Sequence, residues 1–207
     1  MMYLWPCSGT MQGFSEMYGV ITSPQKWAVE RPIKEGRWWA MDNAAFKSGF
    51  DPDRFLAHLE KLEPYRSKCL FVTVPDKPYS AVVTLDLWDY WSPQIIGWPL
   101  AFVAQNGQEC LPFPRTCDWV FIGGDDDFKL GRAGETCIMK ALAEGKRVHI
   151  GRVNSQKRYE RFEKMGAHSC DGTGPTREPD NYKRLFDESM ARPSFFRAAL
   201  PGCNRCG

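Results

Sequence analysis

The 207-residue chain lacks most of what would place it outside the ordinary globular class. No apolar run approaches the roughly 20 residues that span a membrane. The opening Met1-Met2-Tyr3-Leu4-Trp5-Pro6 has neither a basic leader nor a long apolar stretch, so no secretory signal is expected and the cytoplasm is the expected location. Charge of one sign is lacking too. With 27 Lys and Arg against 25 Asp and Glu, the net charge of +2 excludes a globally basic nucleic-acid binder and leaves room only for a local basic face. Low-complexity tracts, repeats of fixed period and linkers are missing. Histidine is scarce: His58, His149 and His168 are scattered, with no Ser-His-Asp or Cys-His spacing. His149 falls in a predicted strand and reads as a satisfied core histidine. Of eight cysteines only Cys203 and Cys206 lie close together, so a disulfide framework is excluded and most read as small buried apolar residues. With 43% hydrophobic and 25% charged residues, one domain with a sizeable core is expected.

What is present is an alternation. Short apolar runs occur at Tyr3-Leu4-Trp5, Gly19 to Thr22, Arg37 to Met41, Cys69 to Val74, Leu100 to Ala104, Trp119 to Ile122, Arg147 to Gly151 and His168 to Cys170. Continuous β-branched or aromatic runs of four to six residues read as buried strands. Helical patterns lie between them. Asp51 can cap a helix with Phe55, Leu59 and Leu62 on its apolar face. Ala81, Leu85 and Trp88 mark another, and Thr136 to Ala143 a third, closed by Gly145. Asn154 or Ser155 can cap a fourth that carries Tyr159, Phe162 and Met165 and ends at Gly166, while Tyr182, Leu185 and Phe186 mark a fifth. Eight strand–helix units predict an α/β fold, a compact (β/α)8 barrel of TIM type. The rival, an open doubly wound sheet, would want a glycine-rich fingerprint after its first strand, and none is there.

Polar sets follow six of the strands: Asp42-Asn43-Ala44-Ala45-Phe46, Pro75-Asp76-Lys77, Gln105-Asn106-Gly107, Gly123-Gly124-Asp125, Arg152-Val153-Asn154-Ser155 and Asp171-Gly172-Thr173. Any one of them can be a helix cap. Six together fall where barrel enzymes build active sites. Three carboxylates converging with a carboxamide suit recognition of a base edge together with acid/base or nucleophilic chemistry. Gly123 and Gly124 let a flat ligand approach the backbone. Asp125-Asp126-Asp127 point in different directions and read as exposed, so no metal site is assigned to them.

In order and placement these residues resemble the tRNA-guanine transglycosylase superfamily, most closely its smaller 7-deazapurine-in-DNA members from bacteria and phages. The family's Asp-Ser-Gly-Gly-Phe is similar to Asp42 to Phe46, and an Asp on the next strand is similar to Asp76. Val-Gln-Gly is similar to Ala104 to Gly107, Ile-Gly-Gly matches Ile122 to Gly124, and the final Asp with its Pro-Thr-Arg matches Asp171 and Pro175-Thr176-Arg177. The resemblance runs from about Tyr3 to Arg177, with the barrel assigned to 1–178 and a C-terminal helix and tail packing on it over 179–207. Two departures stand out: Ala44 and Ala45 replace the motif's glycines, and the family's long zinc-bearing region is missing. Cys203 and Cys206 supply half of the four ligands a structural zinc wants, so two free thiols are expected there rather than zinc, and no cofactor is required. The shorter chain favours the DNA-acting branch.

The resemblance implies a transferase that replaces guanine with a 7-deazaguanine derivative in DNA. Asp171 would be the nucleophile at C1′, and Asp42 the general acid/base, with the raised pKa expected there. Asp76 and Gln105 would read the base edge, the backbone of Gly123 and Gly124 would contact its carbonyl, and the base would be flipped out of the stack. Phe46 would either stack on the base or pack in the core. Arg152, Asn154 and Ser155 would bind phosphate at the loop after the seventh strand. The segment 140–164 carries eight Lys or Arg against three Glu. There Lys157, Arg158 and Arg161 either contact phosphate or form a solvated face with Glu160 and Lys164 paired. The expected partners are DNA and a free 7-deazaguanine base, with a homodimer implied by the resemblance and no membrane. Exchange in tRNA, and a non-catalytic barrel that binds purine or nucleic acid, are the alternatives.

Overall fold

In the computed structural model, residues 1–6 and 18–184 are described, apart from the side chains of Lys47 and Ser48. Eight strands appear: β1 (Met2–Trp5), β2 (Tyr18–Thr22), β3 (Trp39–Met41), β4 (Cys69–Thr73), β5 (Leu100–Ala104), β6 (Trp119–Ile122), β7 (Arg147–Ile150) and β8 (Ser169–Asp171). Each pairs in parallel with the next, and β8 closes on β1 through Met2 opposite Ser169, Tyr3 opposite Cys170 and Leu4 opposite Asp171. The fold is a closed (β/α)8 barrel of TIM type, and the open-sheet rival falls.

The helices are α1 (Arg31–Lys34), α2 (Ala45–Ser48), α3 (Pro52–Leu62), α4 (Ala81–Trp91), α5 (Asp126–Leu130), α6 (Arg132–Ala143), α7 (Gln156–Lys164) and α8 (Gly174–Arg177). The long ones begin and end for local reasons. Asp51 caps α3 by accepting from the Arg54 amide, with Pro52 pre-set at the first position, and Phe55, Leu59 and Leu62 face inward as the spacing predicts. On α4 the buried face runs Ala81, Thr84, Trp88 and Trp91, so Leu85 sits half-buried beside it. Ser155, not Asn154, caps α7. α6 starts at Arg132, one turn before the expected Thr136, because Gly131 opens it in extended geometry. The four short helices were not anticipated; at four or five residues none is long enough to show a helical period. Leu185, Phe186, Cys203 and Cys206 lie outside the described residues. The C-terminal helical pattern is met over the described residues 179–184, where Tyr182 is buried with its ring edge-on to Tyr3 at 5.6 Å.

Both faces of each strand are covered, which is why the strands read as unbroken apolar runs. Outward residues such as Tyr3, Trp39, Phe102 and Val120 pack against the helices. Inward residues form a smaller cluster of Met2, Leu4, Ile21, Ala40, Leu70, Phe71, Ala101 and Trp119. Phe71 is central: its ring centroid lies 5.0 Å from Trp119 and 5.0 Å from His149, which in turn lies 4.5 Å from Phe121. This aromatic plug fills the barrel below the cavity at the strand C-termini. The described cysteines 69, 110, 117, 137 and 170 are free; three are buried as expected, whereas Cys69 is half-buried and Cys110 exposed. No helix of the described residues is long and apolar enough to cross a membrane.

His58 on α3 is buried, and its Nε2 lies 3.0 Å from the Thr22 hydroxyl, which donates to Glu30 at 2.9 Å. Burial, with Lys61 nearby, pushes its pKa down to about 4. Between that value and the ordinary one near 6.5, the unfolded chain binds more protons than the folded one, so stability falls as pH falls through this window. From pH 7 to pH 5, wild type should lose about 1–2 kcal/mol more than His58→Gln, which keeps a polar partner for Thr22 without titrating there. Chemical denaturation at the two pH values measures the difference, and parallel losses would refute the assignment.

Candidate active site at the barrel mouth

A cavity of about 530 Å³ opens at the C-terminal ends of the strands, within the range of small-ligand sites. Asp42, Asp76, Gln105, Gly123, Gly124, Phe46, Arg152, Asn154 and Asp171 all line it, so the residues named from the sequence converge; Ser155 does not line it. The Ser155 hydroxyl accepts from the Arg158 amide as the α7 cap.

One wall is a polar lattice. Asp76 is buried and accepts from Asn43 Nδ2 at 2.8 Å on one oxygen and from Gln105 Nε2 at 2.6 Å on the other. Gln105 Oε1 accepts from two backbone amides, Tyr79 at 2.9 Å and Gly124 at 3.0 Å. Asn43 is fully committed: its amide hydrogens go to Val74 O and Asp76, its oxygen accepts from Ala45 N, and its own backbone N donates to Thr73 Oγ1. Burial raises the Asp76 pKa, opposed by the Asn43 and Gln105 hydrogen bonds. A carboxyl with a raised pKa is thus present in the cavity at Asp76. Gln105 braces the loops through its oxygen and one Nε2 hydrogen, and among the described residues no partner takes the other.

The glycines act differently from the expectation. The Gly123 amide donates to Ala104 O and the Gly124 amide to Gln105, so both N–H groups are already engaged. What the glycines supply is room. A Cβ on Gly124, at φ +66°, would collide with the Phe128 ring, and one on Gly123 would stand 2.9 Å from Val103 Cγ1.

Opposite, Asp171 Oδ1 accepts from the Arg152 backbone amide at 3.1 Å and lies 3.1 Å from His149 Nε2. The other His149 nitrogen lies 2.8 Å from Ser169 Oγ. Burial lowers the His149 pKa, with Asp171 opposing; in a neutral ring, Nε2–H would donate to Asp171 and Nδ1 would accept from Ser169 Oγ. His149 thus is a satisfied core histidine, but its partner is Asp171. Among the described residues no hydrogen bond engages Asp171 Oδ2. Asp42 Oδ1 accepts from the Ala44 amide at 2.8 Å, which fixes the loop entering α2.

Phe46 does not pack in the core. It is 50% exposed at the mouth, edge-on to Tyr79 at 6.1 Å, with the Arg152 guanidinium 4.6 Å from its ring centroid. Arg152 Nη2 also donates to the Gly124 carbonyl. The described residues include three non-glycine residues with positive φ, Ala44, Tyr79 and Arg152, and all three line this cavity. Such conformations cost about 1–3 kcal/mol each and gather at functional sites.

The basic segment is largely consumed within the fold. Arg158 pairs with Asp126 at 2.8 Å and Arg161 with Glu135 at 2.7 Å, while Lys140 and Lys146 donate to backbone carbonyls. Glu160 takes the Gln156 amide. Asp125 caps α5 by accepting from the Phe128 amide. No group of three or more His, Cys, Asp or Glu placed to hold a metal ion occurs among the described residues.

No protein-family model and no curated protein matches the chain. The site is therefore read from its own chemistry. Sequence reasoning missed three contributors. Asn43 was visible only as part of a motif, His149 needed the strand register, and Lys129 lay in a helix too short to be foreseen. Gln105→Leu strands the Tyr79 and Gly124 amides and removes a donor from Asp76, so it should lower the unfolding free energy by at least roughly 1–3 kcal/mol. A denaturant midpoint within error of wild type would show that the carboxamide does not hold these loops.

Proposed function

We propose that the protein is a base-exchange transferase that replaces guanine in DNA with a 7-deazaguanine derivative through a covalent Asp171-glycosyl intermediate. The observation that carries this reading is the state of Asp171. One carboxylate oxygen is held by His149 and the Arg152 amide, the other is unengaged among the described residues, and the group shares one cavity with Asp42 and the Asp76–Gln105 wall. A held oxygen fixes the aim of its partner, as a nucleophile requires.

In the first step Asp171 Oδ2 attacks C1′ of a flipped guanine nucleotide. The C1′–N bond breaks, its electron pair goes to the departing base, and Asp42 supplies the proton that base takes up. In the second step Asp42 removes a proton from the incoming 7-deazaguanine, whose ring nitrogen attacks C1′. The ester bond to Asp171 breaks and the carboxylate returns. No redox change occurs and the proton balances over the cycle. Asp76 and the remaining Gln105 hydrogen meet the polar edge of the base. Phe46 and Tyr79 offer aromatic surface at the entrance, and Arg152 and Asn154 lie where the backbone phosphates would pass.

The test is incubation of duplex and single-stranded DNA with labelled guanine and with a 7-deazaguanine base. Wild type should incorporate label. Asp171→Asn should cut the rate by roughly a thousandfold or more, and Asp42→Asn by roughly 10²–10⁴-fold. Incorporation into tRNA alone moves the substrate to tRNA. Release of free guanine without incorporation makes the protein a hydrolase. Purine binding with no turnover on any nucleic acid leaves a binding barrel and overturns the proposal.

A further inference from the structure

Lys129 lines the cavity and has no part in the exchange chemistry. It sits on the inner side of α5, 1% exposed, and lines the cavity with Gly124, Gly151 and Arg152. Its Nζ is buried without a hydrogen-bond partner among the described residues. Lysine is almost never buried unless paired, because an ammonium taken out of water needs an acceptor. The charged groups that act on it are Arg152, Asp171, Asp126 and Arg158. Neither acid accepts a hydrogen bond from Lys129 Nζ, and Asp126 is instead paired with Arg158. Burial lowers the Lys129 pKa to about 8, so the group is still largely an ammonium at pH 7. Arg152 stands on the same wall, its guanidinium directed to the Gly124 carbonyl and the face of Phe46. The ends of β6 and β7 thus present two cations to a cavity whose other charged lining residues are Lys26, Asp42, Asp76 and Asp171.

We infer that Lys129, with Arg152, receives an anionic oxygen group of the ligand, a carboxylate or a phosphate. The inference deepens the base-exchange reading and rests on it for the identity of the ligand. In that setting the group is either an acidic substituent on the incoming 7-deazaguanine or a phosphate of the flipped nucleotide. An ammonium-bearing substituent is disfavoured by the two cations.

The experiment is calorimetric titration of the full chain and of Lys129→Met, which keeps the length and removes the charge. The probes are 7-deazaguanine, its 7-carboxy and 7-aminomethyl derivatives, deoxyguanosine, deoxyguanosine 5′-monophosphate and inorganic phosphate. Wild type should bind one anionic probe at least about tenfold more tightly than its neutral counterpart, a gap of one charge-assisted contact, and Lys129→Met should erase that gain while leaving the neutral probe within about threefold. A gain confined to the 7-carboxy base assigns the anion to the substituent, and a gain confined to the monophosphate assigns it to the nucleotide. Lys129→Met should also melt no lower than wild type, since it removes an unpaired buried charge. Equal binding of charged and neutral probes, preference for the aminomethyl base, or a large fall in melting temperature in Lys129→Met would each overturn the inference. If no purine binds but inorganic phosphate does so through Lys129, the anion site stands and the base-exchange reading falls.

Discussion

The carboxamide of Gln105 joins parts of the molecule that the chain keeps far apart. From the end of β5 it donates to Asp76 after β4 and accepts from the amides of Tyr79 and Gly124, which follow β4 and β6. Three consecutive βα loops therefore share one planar group, held by three hydrogen bonds. Asn43 extends the tie to the end of β3. A buried carboxyl in an apolar surround would otherwise be costly, and these donors are what keep Asp76 in place. The left-handed Ala44 and Tyr79 lie in the loops that this lattice fixes, so local strain is held by hydrogen bonds that a flexible loop could not maintain.

The far side of the mouth is organised from below. The aromatic cluster of Phe71, Trp119, Phe121 and His149 fills the barrel interior below the mouth. His149 belongs to both layers. Its ring packs between Phe71 and Phe121, and its two nitrogens lie against Ser169 and Asp171. Asp171 thus inherits the rigidity of the core, whereas Asp42 is placed by a loop. A rigid nucleophile beside a loop-borne acid/base is a workable division of labour in the proposed chemistry, since the first must be aimed and the second must face both the departing and the incoming base.

Much of this was legible in the residues. Eight apolar runs, six of them followed by a polar set, pointed to the strand count, the parallel order and the end of the barrel that would carry chemistry. The carboxylates, Gln105, Arg152, Asn154 and Phe46 were named from that placement, and all line one cavity. The roles were less legible than the names. Gln105 and the two glycines proved to be engaged with their own neighbours, because a glutamine that can read a ligand can equally satisfy backbone amides.

What the sequence by itself determined is the periodic pattern: where strands and helices fall, and so which side chains stand near the mouth. Pairing was decided only by the closed sheet. The register sets Phe121 opposite His149 and His149 opposite Ser169, so that Asp171, two residues on, shares their inward face. A shift by one residue would turn each of these side chains outward, and no local signal fixes that choice, since both faces of these strands are apolar. Lys129 is the sharpest case. A lysine in a five-residue helix reads as solvated, and only the packing of α5 against the strand ends removes it from water.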